Sequence, residues 1–429
     1  MPSRTAGSTP RLHSRSRLRS FKRTLRGSLT ALVAAGLAWG LAPTTPAQAA
    51  GEVIIVWADP IRGSVLQREF AGGFQGAIVQ VVVKESLNAL KAEFLASTPE
   101  NGPDVIAVEQ EWTGELVQAQ KVRSLRVPKA LSKQFPGNVL AGFRYDDRVY
   151  GIPVQFENVA LITNAGLVKE PPKNFNKLMK VAEALKAAGS AEVGIAVGQG
   201  STGGYDMYPL FSGLGGYLFG TDALGNFDPS DVGVANPAFL ANASRIDRWN
   251  RTGLVNSAYT RETAKAAFLA GRAPFWITGP WDLATIKKLT FRYRISSVPE
   301  IIKGTPTAPI IGAKGFMVTI HAKAHGVKPL ASKFVTEGLT AKKVQAAFGQ
   351  ASQRLPALIA AAETFPDPQL KAFGLAGASG VPWPNIPQTR SGWLPMGTAW
   401  ANATKGVAAI PAAAAFSQAQ AEIVAAIGG

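Results

Sequence analysis

The chain has 429 residues, of which 46% are hydrophobic and 17% charged, which excludes a disordered protein and indicates two domains. Its formal net charge is +17, but residues 1–49 hold eight basic and no acidic residues, so residues 50–429 carry about +9. That part has no dense basic run and no nucleic-acid motif, so we expect no nucleic-acid partner.

The N-terminal segment shows the order of features found in secretory signal peptides. A basic stretch (1–26) precedes the apolar run LTALVAAGLAWGLA (29–42), and the small-residue pattern AQA (47–49) follows. The apolar run is too short to span a bilayer. We therefore predict a signal peptide at residues 1–49 and export to the periplasm or the medium. The sequence has no cysteine, so we expect no disulfide and no cysteine-linked lipid anchor.

Residues 50–108 alternate between predicted strands and predicted helices. Continuous apolar runs predict strands in EVIIVWA (52–58), AIVQVVV (77–83) and GPDVIAV (102–108). Helical spacing of apolar residues predicts helices in VLQREFAGGF (65–74) and SLNALKAEFLAS (86–97). This β-α-β-α-β order indicates a parallel sheet with helices on both faces.

A second α/β unit is predicted beyond YGIPVQFENVALITN (150–164). Its signals are again apolar runs and helical periodicity. The predicted elements are a helix at 176–189, a strand at 192–198, a helix and a strand in ETAKAAFLAGRAPFWITGPW (262–281), a strand at KGFMVTI (314–320), and helices from about residue 395.

Few residues indicate catalysis or metal binding. His321 and His325 have the i, i+4 spacing of two metal ligands, but no third ligand accompanies them and nearby Gly and Pro residues indicate a loop. A Ser-His-Asp triad would need one of these histidines, and no GxSxG motif is present. The cluster GLGGYLFG (213–220) fits a turn better than a phosphate loop. We therefore expect no catalytic residue, no metal and no cofactor.

Four tryptophans form the most informative pattern: Trp112, Trp281, Trp383 and Trp393. Each lies beside a turn-forming residue, where a core strand or helix should have ended. The last two lie in VPWPNIPQTRSGW (381–393), whose prolines fit neither a helix interior nor a central strand. Core packing explains any one of these rings. Together they are typical of platforms that stack on the apolar face of a sugar.

Carboxylates lie close to the predicted strand ends. Glu109 and Glu111 follow the strand at 102–108, and Glu157 follows VYGIPVQF (149–156). Ligands of open α/β sheets bind beyond the carboxyl ends of strands, so these acids are placed to bind hydroxyl groups. Solvated loop acids are the alternative.

The sequence resembles the extracellular solute-binding proteins of ABC sugar importers, of the maltose/maltodextrin-binding family. The resemblance covers nearly all of residues 50–429 and is strongest in GPDVIAVEQEWTGEL (102–116), RYDDRVYGIPVQFENVALITN (144–164), AAFLAGRAPFWITGPW (266–281) and PNIPQTRSGW (384–393). It implies a two-lobed α/β fold in which each lobe is a mainly parallel sheet flanked by helices, with the ligand cleft between the lobes.

The points at which one predicted α/β unit gives way to the next predict the course of the chain through the two lobes. The first lobe would comprise residues 50–155 and 301–353, and the second lobe residues 160–296 and 354–429. The chain would cross between the lobes at 156–159, 297–300 and 354–357.

Six ligand-binding residues follow from the resemblance. They are the stacking aromatics Tyr205, Trp281 and Trp393 of the second lobe, the crossover acid Glu157, the first-lobe acid Glu111, and the basic residue Arg62, where the family often has lysine.

Two positions depart from the family pattern. Val108 stands where the best-known maltose binders have a tryptophan, and Trp112 stands where an arginine often follows the acid. We predict that one stacking surface of the first lobe has moved from 108 to 112. The resemblance gives Trp383 no role, and we expect it to brace its loop.

The predicted function is that of a binding protein, not an enzyme. We expect it to capture maltodextrin-like α-linked oligosaccharides by hinge closure and to deliver them to ABC permease subunits, as a monomer. Trehalose or a cyclodextrin bound in the same fold is an alternative. A secreted glycoside hydrolase that uses Glu111 and Glu157 is a second alternative.

Overall fold

A computed structural model describes residues 51–200 and 203–428, so the predicted signal peptide at 1–49 lies outside the described residues. The strands are β1 (Val53–Ala58), β2 (Ile78–Val83), β3 (Val105–Glu109), β4 (Arg144–Tyr145), β5 (Arg148–Val149), β6 (Gly151–Glu157), β7 (Ala160–Asn164), β8 (Ile195–Val197), β9 (Phe219–Thr221), β10 (Phe227–Val232), β11 (Phe275–Thr278), β12 (Tyr293–Ser296), β13 (Ile310–Val318), β14 (Leu355–Pro356) and β15 (Val381–Pro382).

The α-helices are α1 (Pro60–Glu69), α2 (Leu87–Ala96), α3 (Thr113–Gln118), α4 (Lys129–Ser132), α5 (Gly137–Ala141), α6 (Phe175–Ala187), α7 (Gly203–Asp206), α8 (Tyr208–Ser212), α9 (Pro237–Leu240), α10 (Ser244–Thr252), α11 (Arg261–Leu269), α12 (Leu283–Ile286), α13 (His321–Ala324), α14 (Lys328–Lys333), α15 (Lys342–Ser352), α16 (Ile359–Glu363), α17 (Pro368–Ala376), α18 (Arg390–Ala403) and α19 (Ala412–Gly428). Short 3-10 turns lie at Gln110–Trp112, Pro280–Asp282, Pro387–Thr389 and Gly406–Ala408, and a π-helical turn at Phe334–Gly338.

Side-chain caps fix the starts of the first two helices. The Asp59 carboxylate accepts a hydrogen bond from the Ile61 amide at 3.3 Å, and Pro60 occupies the first turn of α1. The Ser86 hydroxyl accepts a hydrogen bond from the Ala89 amide at 3.2 Å at the start of α2. Such caps satisfy amide groups that have no partner within the helix. α2 agrees with the helix predicted at 86–97, whereas α1 begins and ends five residues before the helix predicted at 65–74.

The strands form two main sheets. The first sheet has the order β14-β6-β13-β3-β1-β2, and β15 pairs with the start of β13. The second sheet has the order β12-β7-β11-β8. The buried side chains form two clusters, and the second contains Trp400 of α18 and Phe416 of α19, whose rings are 5.3 Å apart. The Ala-rich end of the chain is therefore helical, as predicted.

The strand directions are mixed, which corrects the prediction of mainly parallel sheets. β1 runs parallel to β2 and β3, but β13 runs antiparallel to β3 and β6. In the second sheet, β11 is parallel to β8, while β7 is antiparallel to β11 and β12. The cause is the passage of the chain between the sheets. β6 leads out of the first sheet and β13 returns to it, so the two must run in opposite directions.

Two connections join the sheets. Residues 158–159 link β6 to β7, and residues 297–309 link β12 to β13, with Ile301 buried in the second cluster. Residues 355–356 form β14, which pairs with β6 and therefore belongs to the first sheet. The helix α17 follows later in the chain and packs against β12 and β7 of the second sheet. The predicted crossover at 297–300 lies at the start of the connection at 297–309, and the predicted crossover at 354–357 includes β14. The lobe boundaries stay a prediction.

The two histidines have structural partners. His321 begins the short helix α13, and its Nε2 lies 3.0 Å from the Ser97 hydroxyl. His325 Nδ1 lies 2.8 Å from the Asp104 carboxylate. Among the described residues, no group of three or more His, Cys, Asp or Glu side chains is arranged to hold a metal ion. In the same part of the chain, we find no helix long and apolar enough to cross a membrane.

Candidate ligand-binding site

A cavity of about 470 Å³ lies at the carboxyl ends of β3, β6 and β11. Both sheets contribute to it: Glu109 and Glu157 end strands of the first sheet, and Trp281 follows a strand of the second. The residues that line the cavity are Glu109, Gln110, Glu111, Glu157, Tyr205, Arg261, Trp281, Gly312, Ala313, Lys314, Trp383 and Trp393. One part of this lining is aromatic and the other is charged.

Four aromatic side chains, Trp281, Tyr205, Trp383 and Trp393, form a continuous surface that we call the aromatic wall. The ring centroids of Trp281 and Tyr205 are 6.1 Å apart, those of Tyr205 and Trp383 5.1 Å, and those of Trp383 and Trp393 4.7 Å. Successive rings are tilted by 48°, 34° and 58°, so the rings do not share one plane. Burial, with the nearby Glu157 carboxylate, raises the pKa of Tyr205 well above its usual value, so its hydroxyl stays protonated.

Arg261 fixes one end of the wall. Its guanidinium carbon lies 4.9 Å from the Trp281 ring centroid, and its nitrogens donate to both carboxylate oxygens of Asp206 at 2.7 and 2.6 Å. Burial opposes the charge of Arg261, but Asp206 raises the pKa of the guanidinium. The indole N–H of Trp281 is buried and has no hydrogen-bond partner among residues 51–200 and 203–428.

Two cations hold Glu157 in its ionised form. Arg354 Nε donates to one of its carboxylate oxygens, and Lys314 Nζ lies 3.6 Å from the other and 3.2 Å from Glu109. Burial alone would raise the pKa of Glu157, but Lys314 and Arg354 lower it below its usual value. Burial also opposes the charge of Lys314, and Glu157 and Glu109 raise its pKa. The charged side of the cavity therefore offers fixed acceptors and donors together.

Glu111 differs from its neighbours because no ion pair forms at its carboxylate within the described ranges. Burial, followed by repulsion from the Glu109 carboxylate, raises the pKa of Glu111 from 4.5 to about 7. A hydrogen-bond donor on a ligand would stabilise the ionised form of this carboxylate.

The comparisons with known proteins agree with this arrangement. Residues 68–374 match the model of the bacterial extracellular solute-binding proteins. The chain belongs to this family. Such proteins bind ligands, and the family assignment agrees with the prediction that the chain is a binding protein.

Several other proteins are similar to this solute-binding protein over most of its length. The maltodextrin-binding protein MdxE of Bacillus subtilis is 28% identical over 324 residues, which is 73% of this chain and 76% of that protein. The galactooligosaccharide-binding protein of the same bacterium is 24% identical over 372 residues, 83% of this chain and 86% of that protein.

Two solved structures share the fold. An extracellular solute-binding protein of Staphylococcus aureus in complex with maltose superposes with a TM-score of 0.78 at 21% identity, covering 88% of this chain and 98% of that one. A cyclo/maltodextrin-binding protein with maltotetraose gives a TM-score of 0.76, also at 21% identity, covering 88% and 97%. The predicted two-lobed α/β fold is thereby confirmed.

The structure brings five of the seven predicted site residues to the cavity: Glu111, Glu157, Tyr205, Trp281 and Trp393. Their ligand contacts stay a prediction.

Arg62 and Trp112 lie outside the cavity lining. Arg62 is 2% exposed and its Nε lies 2.6 Å from the Asp59 carboxylate, so it pairs within the first lobe. Trp112 is 3% exposed and lines a separate space of about 80 Å³ behind Trp383 and Trp393. Lys91 lies 5.2 Å from the Trp112 ring centroid.

Sequence reasoning missed several cavity residues. Lys314 lies at the cavity because β13 starts there on its return from the second lobe, and only the sheet topology reveals this. Arg261 follows the helix cap Thr260, and nothing in the local sequence indicates its position over Trp281. Trp383, expected to brace its loop, lines the cavity directly. Its proline-rich surroundings were the signal that could have suggested an exposed ring.

Proposed function

We propose that this solute-binding protein captures α-linked glucose oligosaccharides of the maltodextrin type for an ABC importer. The observation that carries the proposal is the aromatic wall, which faces Glu111, Glu157 and Lys314 across one cavity. A sugar has an apolar C–H face that packs on aromatic rings and a rim of hydroxyls that need hydrogen-bond partners. A cavity with one aromatic side and one charged side meets both needs.

The ligand residues are proposed to act as follows. Tyr205, Trp281 and Trp393 stack on the apolar faces of sugar rings. Glu157 and Glu111 accept hydrogen bonds from hydroxyls.

Arg62 and Trp112 support the site from behind. Arg62 adds positive charge near Glu109 and Glu157. Burial lowers the pKa of Arg62, and these two carboxylates, with Asp59, oppose that effect. Trp112 fills space behind the wall.

The choice of sugar is supported by the relatives. The Bacillus subtilis protein MdxE is named for maltodextrin, and a relative from Pyrococcus abyssi, 25% identical over 317 residues, is named a maltotriose-binding protein. The galactooligosaccharide-binding relative supports one competing ligand class, which the experiment below includes.

The biological setting follows from the same proposal. The protein is exported by its predicted signal peptide, without a cysteine-linked anchor, and works as a monomer. It closes on its sugar about the connections at 158–159 and 297–309 and docks on the permease subunits of an importer. We expect it not to hydrolyse the sugar, because Arg354 and Lys314 engage Glu157, the partner that Glu111 would need in a pair of catalytic carboxylates. The alternative hypothesis is a glycoside hydrolase that uses Glu111 and Glu157 as its two catalytic acids.

Calorimetric titration of the purified protein tests the ligand class. Maltose, maltotriose, maltotetraose, trehalose, a cyclodextrin and a galactooligosaccharide are titrated in parallel, and binding is checked by the rise in melting temperature that ligand linkage produces. We expect the maltodextrins to bind most tightly. Tighter binding of the galactooligosaccharide, or no binding of any maltodextrin, would reject the proposal. Chromatography of maltotriose after prolonged incubation should show unchanged sugar, and released glucose or maltose would instead support the hydrolase.

A further inference from the structure

Trp383 occupies the middle of the aromatic wall. Its ring lies between those of Tyr205 and Trp393, at 5.1 and 4.7 Å, and among residues 51–200 and 203–428 no other ring links these two. The side chain is only partly buried, and it lines the main cavity. Without this ring, the wall would separate into the pair Trp281–Tyr205 at one end and Trp393 at the other.

Trp383 also separates two spaces. It lines both the main cavity of about 470 Å³ and the smaller space of about 80 Å³ that contains Trp112. Glu111 and Trp393 are the other residues common to both. These three side chains therefore lie where the two spaces adjoin.

The backbone around Trp383 is held from both sides. Its N–H donates to the Ile311 carbonyl of β13 at 3.1 Å. Two residues later, the Asn385 side-chain amide donates to the carbonyls of Gly142 and Arg144 at 2.9 and 2.6 Å, and Asn385 is 3% exposed. A ring on a fixed backbone loses little conformational entropy when a ligand stacks on it.

Trp383 and Trp393 are carried by different parts of the fold. The hydrogen bonds of Trp383 and Asn385 run to segments that belong to or adjoin the first sheet, whereas Trp393 lies on α18 beside the buried Trp400 of the second cluster. Both rings nevertheless pack against the second cluster of buried residues. A ligand that spans both rings gains contact from both parts.

We propose that Trp383 is the residue that sets ligand length, by supplying the stacking surface that a third and any later glucose unit requires. This inference rests on the proposed function. A disaccharide can use one end of the wall, on Tyr205 and Trp281. A longer chain must cross the position of Trp383 to reach Trp393, so it alone depends on an unbroken wall.

Three substitutions separate stacking from packing. Trp383→Ala removes the ring, Trp383→Leu keeps apolar bulk without a flat surface, and Trp383→Phe keeps a smaller flat ring. Each variant is first melted to establish that it is folded, and is then titrated with maltose, maltotriose and maltotetraose.

The expected result is a loss of affinity that grows with ligand length. For Trp383→Ala we expect maltotetraose affinity to fall about tenfold or more and maltose affinity by less than about threefold, as for truncation of an aromatic anchor. Trp383→Leu should behave like the alanine variant, and Trp383→Phe should recover most of the affinity.

Three outcomes would overturn the inference. Unchanged affinity of Trp383→Ala for all three sugars would show that the ring only braces its loop. An equal loss for all three would make it a contact without an effect on length. Recovery by leucine as complete as by phenylalanine would show that packing is sufficient. If the parent protein binds no maltodextrin, the proposed function fails first and the inference fails with it.

Discussion

Glu111→Gln should stabilise the protein against unfolding above pH 7, although Glu111 lies in the proposed ligand site. Burial and the Glu109 carboxylate raise the pKa of Glu111 from 4.5 to about 7 in the folded protein. In the unfolded chain the carboxyl ionises near its usual value. Between these two values the folded state keeps a proton that the unfolded state has released, so the free energy of unfolding falls as the pH rises through this window. Above pH 7 the loss is complete and constant.

The magnitude follows from the two pKa values. Each tenfold step in ionisation is worth about 1.4 kcal/mol, so the penalty reaches at most about 3 kcal/mol, and the partial exposure of the side chain reduces it. Glutamine has almost the same shape and no charge. We therefore expect the variant to exceed the parent by about 1–3 kcal/mol in free energy of unfolding at pH 8 and to match it near pH 4.

Urea unfolding of both proteins at pH 4, 6 and 8, followed by tryptophan fluorescence, measures this difference. Glu115→Gln is the matched control: the Glu115 carboxylate lies 2.6 Å from Lys91 Nζ and 2.8 Å from Arg390, so its neutralisation should not stabilise the protein. The reasoning is refuted if the difference between Glu111→Gln and the parent does not change with pH. The variant should also bind oligosaccharide more weakly, because an ionised carboxylate is the stronger acceptor for a hydroxyl.

Other substitutions test the remaining parts of the structure. Trp112→Ala should lower the free energy of unfolding by about 3–5 kcal/mol and change ligand affinity less than Trp393→Ala, and urea unfolding with calorimetric titration of both variants compares them; a larger affinity loss for Trp112→Ala would show that the buried ring contacts the ligand. Asn385→Ala should destabilise the protein by about 1–3 kcal/mol, because two carbonyls lose their donor, and an unchanged urea midpoint would contradict this. Burial opposes the charge of His325, but a backbone carbonyl and Asp104 raise its pKa, so its stabilising contribution is present below pH 6.5 and is lost as the pH rises through the folded value. His325→Asn should therefore destabilise the protein more at pH 5.5 than at pH 8.5 in thermal melts, and an equal effect at both would argue against a charged imidazole.

Local sequence patterns were sufficient for several of the longer strands and helices of the fold. The apolar runs at β1 and β3 and the helical periodicity at α6 depend on neighbouring residues only, so they could be read directly. The direction of β13 could not, because KGFMVTI has the same apolar pattern whichever way the strand runs. That direction is imposed by the passage of the chain between the sheets.

The candidate site was predictable to a smaller extent. Tyr205, Trp281 and Trp393 were located through the family resemblance, and they line the cavity. Trp112 and Trp383 look alike in sequence, because each stands beside a turn. Their difference is tertiary: the 3-10 turn at 110–112 turns the first ring into the lobe, whereas contacts with distant segments hold the second at the cavity.

The central place of β13 in the first sheet has a consequence for how the chain folds. β13 fills the gap between β3 and β6, yet residues 110–309 separate it from β3 along the sequence. During synthesis the first lobe therefore remains as two unjoined parts, β2-β1-β3 and β6, until the chain has passed through the first part of the second lobe and reached residue 310. Such high contact order predicts slow folding. A fragment that ends before residue 310 would expose two unpaired strand edges, so we expect it to aggregate rather than to form an independent lobe.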